Sequence, residues 1–426
     1  MSNDKLGKNP AVADEPFDRK LACSIAPALR MLYSQAGLAC SLFFTDEQIS
    51  ALFSDPNRSA QSPCKILLIE PDADIGSAFN EYAGRTGEKP EIVAVKGLGF
   101  FALGKNKKAA DEARSRFLNG SGADVSGADV SGADVSRAEV SRAEVSGPDT
   151  AVGRLAGRIA IVTGGSQGFG KGIAESLAAD GAYVVVASRN INGVSSSAAL
   201  INERYGPYRA IAVAADVTDE ASVEHLIQET VLEFGGLDIL VSNAGVLIAG
   251  GLDELTKESF DSVTKTNYTG YFLCTKYAVQ PMKIQSRFSP GYMMDIIEIN
   301  SKSGLEGSKK NYAYAGSKFG GIGLTQSFAM ELVEFGIKVN AICPGNLLDG
   351  PLWSDPERGL FRQYLDQGKV EGAKTIDDVR RFYEDKVPMK RGCTISDVAR
   401  AIVYVIEQKY ETGQAIPVTG GQVMLH

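Results

Sequence analysis

Residues 159–170 have the sequence IAIVTGGSQGFG, an apolar run that leads directly into a glycine-rich turn. A short run that is apolar at every position is typical of a strand buried on both faces of a parallel sheet. Glycines let the chain turn sharply against a diphosphate, and the helix predicted from about Lys171 points its first amides at that anion. A glycine-rich turn alone also fits a loop that binds nothing, but the strand before it and the helix after it favour a dinucleotide site.

Similar apolar runs recur from about Leu155 onward, separated by amphipathic helical stretches. The predicted strands are residues 159–162, 183–187, 210–214, 239–242, 296–299 and 338–342. Strands that alternate with helices through right-handed crossovers form a doubly wound parallel sheet. The pattern therefore predicts an α/β domain of Rossmann type over residues 155–426.

A second, smaller α/β unit is predicted before this domain, over residues 17–118. Its predicted strands are residues 65–69 and 92–95, and its predicted helices are residues 75–83 and 106–118. Residues 1–16 are polar and are predicted to be disordered.

Residues 121–150 repeat a five-residue unit of the type SGADV. Five residues advance about 500° on a helix, so the valines build no apolar stripe. The unit resembles the code of pentapeptide-repeat β-helices, but that fold needs more stacked coils than this segment supplies. We therefore predict a linker over residues 119–154.

The composition excludes several classes of function. A net charge of −8 and a pI near 5.1 argue against a nucleic-acid or anionic-membrane partner. The sequence has no apolar run long enough to span a bilayer, and its first residues lack the apolar core of a signal peptide, so a cytoplasmic location is expected.

Cysteine and histidine usage argues against a metal site. The six cysteines form no C-x-x-C pair, which excludes a zinc knuckle or a dithiol redox motif. The only histidines are His225 and His426, so a histidine-rich metal site is impossible. No metal is expected.

The end of the second predicted strand bears on cofactor choice. An enzyme specific for NAD usually places an acidic residue there to accept from the ribose 2′-hydroxyl. This chain has Ser188 and Arg189 instead. Because arginine pairs with a 2′-phosphate, the sequence favours NADP over NAD, with a solvated loop arginine as the alternative.

The turn spacing T-G-x-x-x-G-x-G resembles the short-chain dehydrogenase/reductase superfamily. Further motifs of that superfamily follow in order: Asp216-Val217, Asn243-Ala244-Gly245, Asn267, Ser301, Tyr314-x-x-x-Lys318 and Pro344-Gly345. The resemblance implies that the cofactor-binding residues are Gly164, Ser166, Gln167, Gly168, Phe169, Gly170, Ser188, Arg189, Asp216, Val217, Asn243, Ala244, Gly245, Tyr314, Lys318, Pro344, Gly345 and Leu347.

The spacing of the Tyr-Lys motif suits alcohol oxidation. Residues four apart share a helix face, so Lys318 lies beside Tyr314, and a neighbouring ammonium stabilises a phenolate, whose free acid has a pKa of about 10. The superfamily resemblance implies that Tyr314 takes the hydroxyl proton and Lys318 holds the nicotinamide ribose. It also implies that Ser301 binds the substrate oxygen and Asn267 holds a water that relays protons.

Two neighbouring residues are weaker candidates for these roles. Tyr312 has Gly316 four residues later, so it lacks a lysine partner and is expected to pack. Ser303 is a second hydroxyl near the site, eleven residues before the catalytic tyrosine. Ser301 is favoured as the catalytic serine.

Longer stretches resemble the sorbitol-6-phosphate 2-dehydrogenase family: residues 299–305, 317–327, 345–348, 386–393 and 417–424. That resemblance implies oxidation of D-sorbitol 6-phosphate to D-fructose 6-phosphate, usually with NAD, and a homotetramer built around the Tyr-Lys helix. The alternatives are another hydroxy substrate of the lactaldehyde/propanediol type, or a dinucleotide-binding protein without catalysis.

A phosphorylated substrate requires cationic anchors. The candidates are Lys302, Lys309, Lys310, Lys390 and Arg391, although each also fits a solvated surface cation. The tentative substrate contacts are Ser303, Lys302, Asn346 and Arg391. A long stretch at residues 283–292 is expected to alter the rim of the pocket.

Residues 91–117 resemble the closing part of class II aldolase/adducin domains. An active aldolase of that type holds zinc with several histidines, and residues 1–224 contain none. The unit at residues 17–118 is therefore predicted to be a remnant without metal ligands, with a role in packing or oligomer contacts.

Overall fold

The computed structural model describes residues 17–34, 39–46, 49–55, 59, 62–120, 153–366 and 368–424. The predictions for residues 1–16 and for the repeat at 121–150 lie outside these ranges. Among the described helices, none combines the length and apolar character that crossing a bilayer requires.

The N-terminal unit is a four-stranded sheet with helices. In chain order it comprises α1 (Arg19–Tyr33), β1 (Cys40–Phe44), α2 (Ile49–Ser54), β2 (Ile66–Ile69), α3 (Ile75–Thr86), β3 (Ile92–Val95), β4 (Gly99–Gly104) and α4 (Lys107–Gly120). The strand order is β1-β4-β3-β2, with only β2 and β3 parallel. The predicted strands β2 and β3 and helices α3 and α4 are confirmed. Helix α1 was not predicted, and Pro27 in its interior is an unfavourable residue for a helix.

A seven-stranded parallel sheet forms the second unit. Its strands are β5 (Ile159–Thr163), β6 (Tyr183–Ser188), β7 (Ala210–Ala214), β8 (Ile239–Ser242), β9 (Met294–Ile299), β10 (Ile337–Pro344) and β11 (Ala415–Val418). The order is β11-β10-β9-β8-β5-β6-β7, which confirms the doubly wound fold. The six predicted strands are present. Strand β11 was not predicted because it is a half-exposed edge strand that contains Pro417.

Helices cover both faces of this sheet. They are α5 (Gly168–Ala179), α6 (Ile191–Tyr205), α7 (Glu220–Phe234), α8 (Lys257–Thr264), α9 (Gly270–Phe288), α10 (Tyr312–Leu332), α11 (Pro351–Ser354), α12 (Leu360–Asp366), α13 (Ile376–Asp385) and α14 (Ile395–Glu407). Helices α5, α6 and α14 pack on one face, and α7, α9 and α10 on the other. The helix predicted from about Lys171 begins at Gly168, so the amides of the glycine turn already belong to its first turn.

The N-terminal unit packs at the amino ends of the parallel strands. Helix α1 lies across α7 and α9, and the apolar cores of the two units are continuous. Arg30 is fully buried and donates to both carboxylate oxygens of Asp238, at 2.9 and 2.6 Å. Although burial opposes ionisation, the guanidinium lowers the pKa of Asp238 below its ordinary value. A buried, paired charge thus joins the two units.

Residues 283–292 belong to this junction and not to the rim of a pocket. Gln285, in the last turns of α9, accepts from Leu237 N at 2.7 Å and donates to Asp238 Oδ1 at 3.0 Å. Tyr292 lies against Arg158, whose guanidinium carbon is 4.6 Å from the ring centroid. The expectation that this stretch alters a pocket rim is therefore wrong, because α9 carries it to the opposite edge of the sheet.

Candidate active site

A cleft of about 1550 Å³ opens at the carboxyl ends of the parallel strands. Pockets for single small ligands are roughly 300–1,000 Å³, so this cleft has room for a dinucleotide and a substrate together. The predicted site residues that line it are Gly164, Ser166, Gln167, Gly168, Phe169, Gly170, Ser188, Arg189, Asp216, Val217, Asn243, Ala244, Gly245, Ser301, Lys302, Ser303, Tyr314, Lys318, Pro344, Gly345, Asn346 and Leu347.

The glycine turn forms a cradle that only glycines allow. Gly164 has a φ of 67°, in the left-handed region, and the first turn of α5 follows it closely. A Cβ at Gly170 would lie 2.3 Å from the carbonyl oxygen of Gly164. Asn243 fixes the turn, donating from Nδ2 to the Thr163 carbonyl at 2.8 Å. The chain's backbone can therefore approach a diphosphate closely, and the cradle fits a dinucleotide.

The end of β6 carries no carboxylate. Ser188 Oγ accepts from the amide of Asn190 at 3.2 Å, and Asn190 caps α6 by accepting from Gly193 N at 3.1 Å. The exposed guanidinium of Arg189 lines the cleft and makes no hydrogen bond or ion pair with the described part of the chain. An exposed cation without a hydrogen-bond partner in the described residues therefore follows β6, where the sequence predicts contact with the dinucleotide ribose.

Tyr314 and Lys318 occupy the first two turns of α10 and face the same cleft. The Lys318 ammonium is buried, lies 6.0 Å from the centroid of the Tyr314 ring and donates to the Ile299 carbonyl at 2.7 Å. Ser301 follows β9 and accepts at Oγ from the Ser303 amide at 3.1 Å. A phenol, an ammonium and a hydroxyl thus converge at one end of the cleft.

A buried carboxylate that the sequence analysis missed lies behind Lys318. Glu298 is 1% exposed, and its Oε1 lies 3.7 Å from Lys318 Nζ. Asn300 Nδ2 donates to Glu298 Oε2 and to the Lys318 carbonyl, each at 2.8 Å. Burial raises the pKa of Glu298, and Lys318 opposes that shift. The sequence offered one sign of this carboxylate, an acidic residue between two isoleucines in the last half of β9.

Comparison with known proteins agrees with this geometry. Residues 158–354 match the family model described as short chain dehydrogenase. The sorbitol-6-phosphate 2-dehydrogenase of Escherichia coli is 39% identical over 269 residues, which cover 63% of this chain and 99% of that protein. This chain belongs to the short-chain dehydrogenase family. The crystal structure of sorbitol-6-phosphate 2-dehydrogenase SrlD from Erwinia amylovora has a TM-score of 0.57 and 42% identity, covering 62% of this chain and 100% of that one.

A longer relative also matches the N-terminal part of this dehydrogenase. The uncharacterized oxidoreductase YuxG of Bacillus subtilis is 28% identical over 420 residues, or 93% of this chain. This chain spans 58% of that protein's length. A match of this extent includes residues before the parallel sheet. The likeness of residues 91–117 to aldolase/adducin domains stays a prediction.

Asn267 lies beside the dehydrogenase cleft but not in its lining. It is buried in a π-helical segment, Lys265–Thr269, between α8 and α9. Its Oδ1 accepts from Val246 N at 2.8 Å, and its Nδ2 donates to Ser317 Oγ at 3.1 Å. The side chain fastens the loop after β8 to α10, and its role in a water relay stays a prediction.

Arg391 and Lys390 lie outside the cleft, contrary to their expected role as anchors. Arg391 donates to both oxygens of Asp397, at 2.6 and 3.0 Å, and lines a separate depression of about 330 Å³. Lys390 donates to the Asp385 carbonyl at 2.9 Å. Asp397 caps α14 and so draws Arg391 away from the substrate side. Tyr312 is likewise absent from the lining, whereas Lys302, Lys309 and Lys310 belong to it.

Two lysines that the sequence analysis missed also line the dehydrogenase cleft. Lys369 and Lys386 flank α13 in the helical segment between β10 and α14. Aromatic contacts build this segment: the Trp353 and Tyr383 ring centroids are 4.8 Å apart. Amphipathic polar stretches after the sixth strand were the available signal, but their position over the cleft depends on tertiary packing.

Proposed function

We propose that this dehydrogenase interconverts a phosphorylated polyol and its ketose phosphate, with D-sorbitol 6-phosphate and D-fructose 6-phosphate as the first pair to test. The observation that carries the proposal is Lys302. It directly follows Ser301, is half-buried and makes no side-chain hydrogen bond or ion pair with any residue in the described ranges. Glu306 acts on Lys302 through its charge but forms no ion pair with it in the described ranges. A partly desolvated cation without a bonded counter-ion at the reacting end of a cleft suits an anionic substrate.

Other cations reinforce this end of the cleft. Burial lowers the pKa of the Lys302 ammonium; the charge of Glu306 opposes this shift, and the charge of Lys386 adds to it. Lys369 also lines the cleft, with its ammonium 3.7 Å from the Tyr364 ring centroid. Three lysines from separate segments therefore line the cleft, and an anionic group on the substrate would find cations there. A phosphate group supplies one, whereas propanediol and unphosphorylated sorbitol do not.

The chain's own residues account for proton movement in the reaction. A bound nicotinamide ring supplies the hydride acceptor when an alcohol is oxidised. Tyr314 takes the proton from the substrate hydroxyl, and the ammonium of Lys318 stabilises the phenolate that this requires. Ser301 receives a hydrogen bond from the Ser303 amide, which leaves its own O–H to donate to the substrate oxygen.

The cofactor proposed is NADP. Arg189 is an exposed cation that lines the cleft. The residues on either side of it, Ser188 and Asn190, are neutral and cap the start of α6, so this strand end has no carboxylate. An arginine there pairs with a 2′-phosphate, and an acidic residue is what a ribose 2′-hydroxyl would favour. The sorbitol-6-phosphate 2-dehydrogenase resemblance points to NAD instead, so both cofactors belong in the test.

A self-associated form is also proposed. The outward surface of α9 and α10 exposes Phe272, Phe319 and Met330, the last at 76%. Exposed apolar side chains on the outward surface of two helices fit contact with a second copy of the chain. Light scattering on the full chain measures whether a tetramer forms.

Steady-state kinetics test the proposed substrate. The full chain is assayed with D-sorbitol 6-phosphate, D-sorbitol and propanediol, each with NAD+ and NADP+. We expect kcat/KM for the phosphorylated polyol to exceed that for sorbitol by at least about tenfold, because one charge-assisted contact contributes roughly 1.5–3 kcal/mol. Equal values for sorbitol and its phosphate, or faster turnover of propanediol, would reject the proposal.

A further inference from the structure

A carboxylate is built into the back of the catalytic lysine. Glu298 projects from β9 toward the face that α9 and α10 cover, three residues before Ser301. Its Oε2 accepts from Asn300 Nδ2. Its Oε1 has no hydrogen bond among the described residues and lies 3.7 Å from Lys318 Nζ, beyond hydrogen-bond distance but within an ion pair.

Helix α10 leaves space for this carboxylate. A Cβ at Gly321 would lie 2.3 Å from Glu298 Oε1 and 2.8 Å from its carboxyl carbon. Gly321 stands three residues after Lys318, on the same face of the helix. Any side chain at this position would displace the carboxylate from the ammonium, so the glycine and the acid form one arrangement.

The same contacts tie the lysine to the serine. Lys318 Nζ donates to the Ile299 carbonyl at 2.7 Å and also lies beside Glu298, the residue before Ile299 in β9. Asn300 Oδ1 accepts from the Ser301 amide at 2.8 Å, and its Nδ2 bonds to both Glu298 and the Lys318 carbonyl. The carboxylate therefore belongs to the frame that sets Lys318 against Ser301.

We propose that Glu298 is a positioning residue for the dehydrogenase reaction: it holds the Lys318 ammonium from behind and limits how strongly that ammonium stabilises the Tyr314 phenolate. The inference rests on the dehydrogenase chemistry but not on the identity of the alcohol. An anionic carboxylate beside the ammonium offsets part of its field, so the ammonium stabilises negative charge on the Tyr314 oxygen less than it would alone.

The other titratable groups that face Glu298 stay neutral in the working range of pH. On α9, burial raises the pKa of Tyr271, whose hydroxyl shares a hydrogen bond with Thr325. On β10, burial raises the pKa of the Cys343 thiol to about 12. Lys318 on α10 is thus the one charged partner of Glu298 in the described part of the chain. A change in the carboxylate is felt mainly at Lys318 and Tyr314.

The test replaces the carboxylate with its isostere, Glu298→Gln, in the full chain. Ionisation of Tyr314 is followed as the tyrosinate absorbance that disappears when Tyr314→Phe is added to the same background, a measurement that needs no substrate. The midpoint should move to lower pH in Glu298→Gln by roughly one unit, the size expected for a charge about 10 Å away at an effective dielectric constant of about 20. The acid limb of kcat/KM for alcohol oxidation should follow it.

The matched control is Asp295→Asn. Asp295 is the other buried acid of β9 and pairs with Lys338 at 3.0 Å, on the opposite face of the strand. Its neutralisation should lower thermal stability and leave the Tyr314 midpoint in place. A midpoint that stays at the wild-type pH in Glu298→Gln would overturn the proposal. If Glu298→Gln fails to fold, Gly321→Ala serves as the second test, because its Cβ would displace the carboxylate. An unchanged Tyr314 midpoint in Gly321→Ala would also overturn the proposal.

Failure of this proposal is separable from failure of the proposed function. The absorbance titration reports on Glu298 even if D-sorbitol 6-phosphate is not a substrate. Conversely, strong preference for the phosphorylated polyol together with an unmoved midpoint would keep the substrate assignment and reject the role of Glu298.

Discussion

The two edges of the parallel sheet each hold a buried ion pair, and the pairs differ in how completely they are bonded. At the amino edge, both oxygens of Asp238 accept from Arg30, and they also accept from Gln285 Nε2 at 3.0 Å and Ile159 N at 2.8 Å. At the carboxyl edge, Glu298 Oε1 and Lys318 Nζ are 3.7 Å apart, and that carboxylate oxygen accepts no hydrogen bond from any residue that the structure describes.

This difference separates residues that hold the fold from residues that act on a ligand. Buried polar groups in native proteins are nearly always hydrogen-bonded, so an incomplete set calls for an explanation. At the amino edge the Asp238 carboxylate accepts four hydrogen bonds, and its pair with Arg30 joins two units of the chain. The carboxyl edge keeps donors available at Lys318 and Lys302, where a cofactor and a substrate would bind. Substitutions at the amino edge should therefore lower the free energy of unfolding, whereas substitutions at the carboxyl edge should change the kinetics.

The largest effect is expected from Tyr314→Phe, which removes the reacting hydroxyl at the carboxyl edge and keeps the packing of the ring. Without the proton acceptor, kcat should fall by about 10²–10⁴-fold, the usual contribution of general acid–base catalysis. Steady-state kinetics and fluorescence titration with NAD(P)H measure this. Dinucleotide affinity and melting temperature should stay near wild type; a variant that keeps more than about a tenth of kcat would contradict the assignment.

Arg30→Met should break the amino edge without touching the chemistry. It leaves the Asp238 carboxylate buried without its cation, which costs about 3–5 kcal/mol of unfolding free energy. Urea denaturation measures the loss. Arg19→Met is the matched control, because Arg19 pairs with Glu229 across the same junction but is partly exposed, so its loss should be about 1 kcal/mol or less. Equal losses of unfolding free energy in the two variants would mean that the buried pair stabilises the fold no more than the exposed one.

Lys302→Met tests whether the unpaired cation binds phosphate. We expect kcat/KM for D-sorbitol 6-phosphate to fall about 10–100-fold and that for D-sorbitol to change little, since one charge-assisted bond contributes roughly 1.5–3 kcal/mol. Lys390→Met is the control, because Lys390 lies outside the cleft. Similar losses in the two variants would point to general electrostatic attraction and away from a bound phosphate.

The same lysine predicts a pH effect. Burial lowers the pKa of Lys302, so the ammonium is charged below that value and neutral above it. The KM for the phosphorylated substrate should therefore rise with alkaline pH at a lower pH than for an ordinary lysine. Lys302→Met should lack this rise. A KM profile that is identical in the two proteins would remove Lys302 from the phosphate site.

The smallest expected effect is at the adenosine end of the cleft. Arg189→Ala should raise the KM for NADP+ by about tenfold and change the KM for NAD+ by less than about twofold, since only the 2′-phosphate loses a partner. Arg204→Ala, at the other end of α6, removes an exposed arginine that pairs with Glu175 and serves as the control. Parallel changes for both cofactors would show that Arg189 does not discriminate between them.

Local signals explain what the sequence could predict. The strand before the glycine turn is apolar at every position because both faces are buried, and Tyr314 and Lys318 are neighbours because one helical turn separates them. Each of these patterns lies within a dozen residues. The central strands, the glycine turn and the Tyr-Lys pair were therefore accessible without a structure.

Long-range and competing contacts explain what was missed. Lys318 and Glu298 meet only because α10 packs on β10 and so lies against the end of β9, and no spacing rule joins them. Arg391 has the right charge and an appropriate place in the sequence, but Asp397 lies close enough to pair with it first. Strand β11 was not predicted because Pro417 argues against a strand, although an edge strand tolerates proline. Charge alone does not reveal which cations remain unpaired.

The junction at the amino edge also sets an order of events during synthesis. Arg30 precedes Asp238 by 208 residues and Gln285 by 255. At about 5–20 residues per second, the ribosome takes about 10–40 s to make the first of these partners. Until then the guanidinium stays hydrated and α1 can pack only on its own sheet, not on α7 and α9. Helix α1 therefore reaches its final packing only after the chain has been made beyond Asp238.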